Sequence, residues 1–318
     1  MSANTKIEWC HATVNWWAGC TAISPACDNC YAKRMAGRLW ETQWGPGKPR
    51  HQFIGAADAL RALDRKAKRL GQPLLVFHNS LSDFFDNEVP QDWRDLAFQA
   101  MAETPNLIHL LLTKRIGNAG NMLPVPFDFD KHYPNVWIGI TVVNQEEADR
   151  DIPKLLAIPA AKRFLSMEPL LGPVDLTNIE AKVGVGTDVF SCLQYDGDPD
   201  DDVEFGTKTI DWVIVGGESG PSARPMHPDW AFDLRDQCAA AGVQFMFKQW
   251  GEWTPGVNVE RQRGIIPIAS LWNDTWQVSS LNLATDGGHI DDEPDVYRVG
   301  KKEAGRMLDG REWNGFPS

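Results

Sequence analysis

The sequence contains no run of eighteen apolar residues, so no segment predicts a transmembrane helix. The opening MSANTKIEWC lacks the basic start and apolar stretch of a secretory signal, and we therefore expect a reducing, cytoplasmic location. Nothing resembles a G-x-G-x-x-G turn after the first predicted strand, which argues against an open dinucleotide-binding sheet. Internal repeats and low-complexity tracts are also absent, as is typical of a globular protein rather than a repeat or linker protein.

The charge of the chain is uneven. Its net charge of −12 argues against a general nucleic-acid binder, yet residues 31–70 carry ten Lys and Arg against three acids. Arg61, Arg65 and Arg69 recur at i, i+4 spacing and would share one face of a helix. Two tryptophans in the same segment are suited to base stacking: Trp40 and Trp44. The segment is a candidate contact for a nucleotide or nucleic acid, and a plain solvated helix face is the commoner explanation.

Short apolar runs, each ending in small or polar residues, predict seven buried strands. They lie at 12–19, 73–80, 107–115, 136–144, 163–170, 211–219 and 243–251. Segments with helical spacing lie between most of these runs, at 56–70, 91–103, 145–158 and 228–242. Alternating strands and helices predict a parallel sheet with crossover connections. The number of units favours an α/β fold with a whole or partial (β/α) TIM-like barrel of about six to seven parallel strands.

This alternation defines a predicted barrel domain at residues 1–252. Residues 175–209 interrupt the pattern and are interpreted as an acidic insertion, with six acids between residues 196 and 204. From residue 253 to 318 the sequence becomes rich in Gly, Pro and Asp with short strand-like pieces. We interpret this part as an irregular C-terminal extension that packs on the barrel.

Polar side chains recur where the predicted strands end. In a barrel all of these ends lie on one face, where active sites are built. The candidates at these ends are Ser80, Ser82, Asp83, Lys114, Thr141, Asn144, Ser166, Glu168, Glu218 and Lys248. The positive charges of Lys114, Arg115 and Lys248 are suited to a carboxylate or phosphate, although a lysine at a strand end can also simply reach into water.

Three of the six cysteines lie within eleven residues, spaced Cys20-x6-Cys27-x2-Cys30. They follow the first predicted strand and precede a helix-like run. Three thiolates on such a loop suit a [4Fe–4S] cluster that keeps one iron open for a ligand. A structural zinc ion is the alternative, with Cys10 or His11 as its fourth ligand. Ordinary buried thiols are a third interpretation.

The run TKIEWCHATVNWWAGCTAISPACDNCYAKRMAGR resembles the opening of a phage and prophage protein family that is known by its three-cysteine motif and whose function is unknown. The blocks HNSLSDFFDNEVP, FLSMEPLLGPVD and WVIVGGESGPSARPMHPDW also resemble that family, so the likeness covers nearly the whole chain. The family is similar to radical S-adenosylmethionine (SAM) enzymes, which place three cysteines after the first strand of a (β/α) barrel. Their usual spacing is C-x3-C-x2-C, and the spacing here is C-x6-C-x2-C.

This resemblance implies a [4Fe–4S] cluster on the three cysteines, SAM as cofactor, a 5′-deoxyadenosyl radical, an electron donor, and a phage protein in the bacterial cytoplasm without a membrane partner. The residues it implies for SAM binding are Tyr31, Ser80, Ser82, Asp83, Thr141, Asn144, Ser166, Glu168, Gly216 and Gly217. Those proposed for catalysis are Lys114, Glu168, Glu218 and Lys248. One alternative is a non-enzymatic, zinc-stabilised phage protein that binds a host or nucleic-acid partner. Another is a cluster used only for structure or electron transfer.

Overall fold

The computed structural model describes residues 5, 7–39, 44–183, 186–194, 208–259, 264–283 and 295–317. The chain divides into two compact units. The first comprises residues 1–141, 150–166 and 195–210, and the second comprises 142–149, 167–194 and 211–318. The predicted boundary after residue 252 falls within the second unit. Trp40 and the six acids between residues 196 and 204 lie outside the described residues.

The described strands are, in chain order, β1 (Ala12–Val14), β2 (Trp17–Ala18), β3 (His51–Gln52), β4 (Leu74–His78), β5 (Leu107–Thr113), β6 (Val136–Thr141), β7 (Arg163–Met167), β8 (Ile179–Val183), β9 (Gly186–Phe190), β10 (Trp212–Gly216), β11 (Gln244–Gln249), β12 (Trp253–Thr254), β13 (Ile265–Trp272), β14 (Thr275–Asn282) and β15 (Val296–Arg298). The helices are α1 (Tyr31–Leu39), α2 (Ala56–Leu70), α3 (Gln91–Ala102), α4 (Ile116–Met122), α5 (Phe129–His132), α6 (Gln145–Ala157), α7 (Pro228–Ala241) and α8 (Lys301–Ala304).

Seven strands form one sheet in the order β1-β4-β5-β6-β7-β10-β11. Neighbouring strands run parallel, for example with Ala12 opposite Val76 and Leu74 opposite Leu107. Each of these strands lies within one of the seven predicted apolar runs. The predicted fold class is therefore confirmed as a partial TIM-like α/β fold.

The apolar pattern of the sequence explains how the helices cover the sheet. Helix α2 buries Ala56, Leu60, Leu63 and Ala67, which recur at the spacing of one helical face. It ends at Gly71, whose φ of 68° lies in the left-handed region that glycine tolerates. Strand β4 is buried along its whole length, as expected for a parallel strand covered on both faces.

The rest of the second unit contains smaller antiparallel elements. Strands β8 and β9 form a hairpin in the predicted insertion, and β12, β15, β13 and β14 form a four-stranded sheet in the predicted extension. Strands β13 and β15 match the strand-like pieces IIPIASLW and DVYRVG of that segment. None of the described helices combines the length and the apolar composition needed to cross a membrane.

A buried chain of hydrogen bonds links two histidines in the core of the first unit. Trp16 Nε1 donates to His78 Nδ1 at 3.0 Å, and His78 Nε2 lies 2.9 Å from His109 Nδ1. His109 Nε2 lies 3.1 Å from Thr104 Oγ1, which donates to the Ala100 carbonyl at 2.7 Å. Trp16 Nε1 can only donate. Each hydrogen bond of the series therefore has one donor and one acceptor when both histidines are neutral and protonated on Nε2. Burial lowers the pKa of His78 well below its usual value and that of His109 to about 3.

These lowered pKa values predict acid sensitivity. In the unfolded chain both histidines protonate as the pH falls below about 6.5, whereas in the folded protein they stay neutral. Their contribution to the free energy of unfolding is therefore fully present above about pH 6.5. It is lost towards lower pH, by up to about 1.4 kcal/mol per pH unit for each histidine. Urea unfolding between about pH 6.5 and 5 should show a shallower loss of stability in His78→Gln/His109→Gln than in the natural protein. Equal slopes would contradict the neutral chain.

Candidate functional site

The cysteine loop, residues 19–30, is fixed at its start to the segment that follows β4. Gly19 has a φ of 103°, which glycine tolerates, and its N–H donates to the Leu81 carbonyl at 3.2 Å. Ser82 Oγ donates to the Trp17 carbonyl at 2.9 Å, and the buried Trp17 Nε1 donates to the Asp83 carbonyl at 3.2 Å. The loop therefore begins at a backbone position that is set by the carboxyl end of β4.

Two tight turns shape the rest of the loop. Ser24 caps the 3-10 turn Pro25–Cys27 by accepting from Ala26 N–H, and Cys30 N–H donates to the Cys27 carbonyl at 3.3 Å. Helix α1 then begins at Tyr31, whose hydroxyl donates to the Ser80 carbonyl at 2.7 Å. The structure thus brings together Tyr31 and Ser80, two of the residues predicted to bind a cofactor.

Arg115, just after β5, connects this loop to the buried carboxylate of Asp83. Its side chain is nearly buried and lies 3.3 Å from Asp83 Oδ2. Its Nη1 donates towards Cys20 Sγ at 3.5 Å, and its Nη2 donates to the Thr21 carbonyl at 2.6 Å. One guanidinium therefore contacts a carboxylate, a cysteine sulfur and the backbone beside that cysteine.

The carboxylate of Asp83 is occupied by donors of the protein itself. Its Oδ1 accepts from Thr113 Oγ1 at 2.6 Å and from Phe85 N–H at 3.0 Å. Its Oδ2 accepts from Lys114 N–H at 2.9 Å and faces Arg115. Asp83 was predicted to bind a cofactor directly, and its contacts here indicate that it orients the ends of β4 and β5.

A second buried arginine holds the same loop and was missed by the sequence analysis. Arg50 pairs with Asp86 at 2.8 Å and lies 3.0 Å from Glu88, and its Nη2 donates to Thr21 Oγ1 at 3.0 Å. Arg50 is one of the ten cations of the basic segment at residues 31–70, and its burial removes it from any surface that could contact a nucleic acid. Asp83 and Asp86 are the sequence feature that could have indicated a buried arginine, because two carboxylates that follow a buried strand need cationic partners.

The three clustered cysteines are partly exposed, whereas Cys192 and Cys238 are buried. Burial, with a contribution from Asp83, raises the pKa of Cys20 to about 11, and Arg115 acts in the opposite direction. Cys20 is therefore protonated at neutral pH when no metal is bound. Cys192 and Cys238 are fully buried, and burial raises the pKa of both thiols, that of Cys238 to about 12. These last two are unreactive core residues.

The loop supplies the type of ligand that an iron–sulfur cluster needs, because its three cysteines form no disulfide and are partly exposed. Within the described residues, however, no three His, Cys, Asp or Glu side chains lie close enough together to hold a metal ion as they stand. Cys10 and His11 precede β1, at the opposite end of that strand from the loop, and His11 Nδ1 accepts from Leu75 N–H at 2.9 Å. Neither residue supplies a fourth zinc ligand to the three cysteines in this structure.

Two more predicted residues meet at the carboxyl ends of β5 and β6. Lys114 Nζ donates to Thr141 Oγ1 at 3.2 Å, and Thr141 is buried. Ser166, also buried, lies opposite Thr141 in the parallel register of β6 and β7. The first unit therefore carries a row of polar side chains at these strand ends, next to the strand ends that hold the cysteine loop.

The second unit has its own cluster, built around Glu168. Lys248 Nζ lies 2.8 Å and 3.0 Å from the two carboxylate oxygens of Glu168, and Gln249 Nε2 donates to Oε1 at 2.9 Å. Gln249 Nε2 also donates to Ser219 Oγ at 3.2 Å. A Cβ on Gly216 would lie 3.3 Å from the Glu168 side chain, so the glycine lets this carboxylate pack against β10. The predicted residues Glu168 and Lys248 thus form a partly buried ion pair.

The remaining predicted residues of this unit have local roles. Glu218 is buried and is held by Arg224, whose Nη2 lies 2.7 Å from Oε1. A Cβ on Gly217 would lie 1.9 Å from the Trp250 carbonyl, so this glycine is required by the protein's own backbone. Asn144 caps α6 by accepting from Glu147 N–H at 3.0 Å. The contacts of these three residues are with the protein itself.

Comparison with known proteins identifies a family and no activity. A model of the family described as "Protein of unknown function (DUF5131)" matches residues 4–317. No curated protein and no solved structure matches the chain.

The contacts of Asp83 predict a structural phenotype for its removal. Asp83→Ala leaves the buried Arg115 without its carboxylate, and breaking a buried ion pair in this way typically costs about 3–5 kcal/mol. Urea unfolding of the metal-free protein measures this loss. The control is Asp58→Ala, because the Asp58 side chain is 83% exposed and its removal should change stability little. Equal stability of the two variants would contradict the structural role of Asp83.

Proposed function

The chain belongs to a family of proteins of unknown function, and we propose that it is an iron–sulfur enzyme of the radical SAM type. The observation that carries the proposal is the cysteine loop, which presents three free thiols after the first strand of a partial TIM-like sheet. The resemblance of its sequence blocks to a three-cysteine phage family supports the same conclusion. With it comes the proposal of a phage-derived protein that works in the bacterial cytoplasm with a separate electron donor.

In this proposal Cys20, Cys27 and Cys30 hold a [4Fe–4S] cluster through three of its irons. When bound, the cluster and SAM supply one-electron cleavage of the sulfonium and hydrogen abstraction by a carbon radical. The backbone of Cys20 is already fixed by its neighbours, while the side chains of the loop must rotate to bring three sulfurs together. Such rotation is compatible with the half-exposed positions of the cysteines.

Each unit has polar strand-end residues of its own that could bind a charged group. Lys114 and Thr141 offer a cationic donor and a hydroxyl at adjacent strand ends of the first unit. In the second unit, Glu168 and Lys248 form a neutral pair that can exchange its internal bond for the carboxylate or ammonium of a charged ligand. A charge-assisted hydrogen bond to such a group typically contributes roughly 1.5–3 kcal/mol.

Reductive cleavage of SAM tests the proposal most directly. Protein purified and reconstituted without oxygen is incubated with SAM and dithionite, and 5′-deoxyadenosine and methionine are quantified. The proposal predicts both products in equal amounts, dependent on reductant. A brown protein that binds iron but forms neither product would favour a cluster used for structure or electron transfer. A colourless protein with one zinc would favour the zinc-stabilised binding protein.

The cysteine assignment predicts a sharp division among single variants. Changing Cys20, Cys27 or Cys30 to Ala should remove most of the iron and the absorption near 400 nm. Cys238→Ala is the matched control, because Cys238 is buried on helix α7 and should leave the iron content unchanged. Iron per chain is measured after anaerobic reconstitution. Full iron retention in Cys27→Ala would overturn the cluster assignment.

The proposed substrate class is a nucleotide or nucleic acid, and helix α2 is the proposed contact surface. Arg61 is already paired with Asp58 at 3.0 Å and with Glu103 at 2.8 Å. Asp64, one residue before Arg65, accepts hydrogen bonds from the backbone and side chain of Asn106 at 2.8, 3.0 and 3.1 Å. Several cations near the end of α2 are exposed and have no ion-pair partner among the described residues, and they include Arg65, Lys68 and Arg69.

These three cations predict a salt-dependent phenotype. The variant Arg65→Gln/Lys68→Gln/Arg69→Gln should bind DNA or RNA more weakly, and each lost phosphate contact should lower the log–log salt slope by about 0.7 to 0.9. Arg61→Gln is the control, because its guanidinium is engaged by two carboxylates and should contribute little. Electrophoretic mobility shift at several salt concentrations measures both. Equal weakening by the control, or no binding at low salt, would remove α2 as a nucleic-acid surface.

A further inference from the structure

Three polar side chains at the carboxyl ends of β5, β6 and β7 lie on the same face of the sheet. Thr113 is the register partner of Ile140, and Thr141 is that of Ser166. The next residue after Thr113 is Lys114, which therefore falls beside Thr141. Because side chains alternate between the two faces of a strand, residues in register point the same way. Lys114, Thr141 and Ser166 thus form one polar row across three neighbouring strands of the first unit.

The layer beneath this row is apolar and partly open. It consists of Leu112, Gly139 and Phe164, which lie in register on the same face, two positions earlier along each strand. Phe164 is fully buried, and its ring lies 2.4 Å from where a Cβ on Gly139 would be. Leu112 is only half-buried, although β5 is an inner strand of the sheet and Leu110 below it is fully buried. This exposure of an inner strand indicates open space in front of the polar row.

The polar row contains more hydrogen-bond donors than the protein itself uses. The ammonium of Lys114 has three N–H groups, and within the described residues it donates only to Thr141 Oγ1, at 3.2 Å. Since that oxygen accepts, Thr141 keeps its own O–H to donate. Ser166 Oγ has no partner among the described residues, yet it is not one of the enclosed polar atoms that lack a partner. Its hydroxyl therefore reaches accessible space, and the row as a whole suits a ligand that accepts hydrogen bonds.

Lys114 also has no counter-ion in the described part of the chain. The nearby carboxylate of Asp83 accepts the backbone N–H of Lys114, and its ion pair is with Arg115. The Lys114 ammonium itself has a hydroxyl as its partner, which leaves its charge unbalanced. A half-buried cation of this kind is stabilised when an anion binds to it, because the anion restores the interactions that are lost with water.

We propose that Lys114, Thr141 and Ser166 bind a phosphate group, and the inference rests on the proposed function only for the nucleotide that carries this phosphate. Ammonium and hydroxyl groups are common phosphate ligands, and the oxygens of one phosphate can accept from several separate side chains. A planar carboxylate is matched better by the fork of an arginine. Neighbouring strands lie about 4.8 Å apart, which a single phosphate can span. The site includes no metal and no cysteine.

The test is isothermal titration calorimetry of the full-length protein, without reconstitution of any metal, against inorganic phosphate, AMP, adenosine and acetate. We expect phosphate and AMP to bind, AMP to bind more tightly than adenosine, and phosphate to bind more tightly than acetate. Lys114→Met, Thr141→Val and Ser166→Ala should each weaken phosphate and AMP binding by about tenfold or more, because each removes a hydrogen bond to a charged group. The matched control is Lys131→Met, since Lys131 is exposed and already pairs with Asp128, and its affinities should be unchanged.

Several results would overturn the phosphate site. They are the absence of phosphate and AMP binding by the natural protein, equal affinity for AMP and adenosine, equal affinity for phosphate and acetate, and equal weakening by Lys131→Met. If Lys114→Met does not fold, Lys114→Gln takes its place in the same comparison. A protein that binds AMP through Lys114 but cleaves no SAM after reconstitution would keep this site and overturn the proposed enzyme. SAM cleavage by the natural protein, with unchanged AMP binding in Lys114→Met, would overturn only this site.

Discussion

The buried pair of Asp83 and Arg115 is the interaction on which the candidate site of the first unit depends. A carboxylate and a guanidinium are stable away from water only when each is paired and its remaining hydrogen bonds are made. Asp83 meets this requirement with donors from the end of β5, and Arg115 meets it with the backbone of the cysteine loop. Two strand ends and the loop are thereby tied to one another by charge.

The same interaction positions the start of the cysteine loop. Cys20 has Arg115 at its sulfur, and Thr21 is held between Arg115 and Arg50. Cys27 and Cys30 are linked by a short turn, and Cys30 packs against the buried residues Ala18, Ala32 and Leu81. The same principle appears in the second unit, where Lys248 and Gln249 satisfy the carboxylate of Glu168.

The sequence was sufficient for the fold because its signals are local and repeated. Buried parallel strands appear as apolar runs, and α2 and α7 ended where a left-handed glycine follows them. The predicted site residues stay a prediction, and the contacts that the structure gives them could not be deduced from the sequence. A position at a strand end does not reveal that Asp83, Glu218 and Asn144 accept hydrogen bonds from the protein itself. Their partners are set by the local turns and by side-chain geometry. Arg50 appeared to be one cation among ten, and only the fold shows that it is buried.

The central claim is that the three cysteines hold a [4Fe–4S] cluster with one iron left open. Mössbauer spectroscopy of protein reconstituted with 57Fe, recorded with and without SAM, tests it most directly. The account predicts the signature of a four-iron cluster and a change confined to one of its irons when SAM is added. A protein that retains no iron, or a four-iron spectrum in which SAM changes nothing, would contradict it.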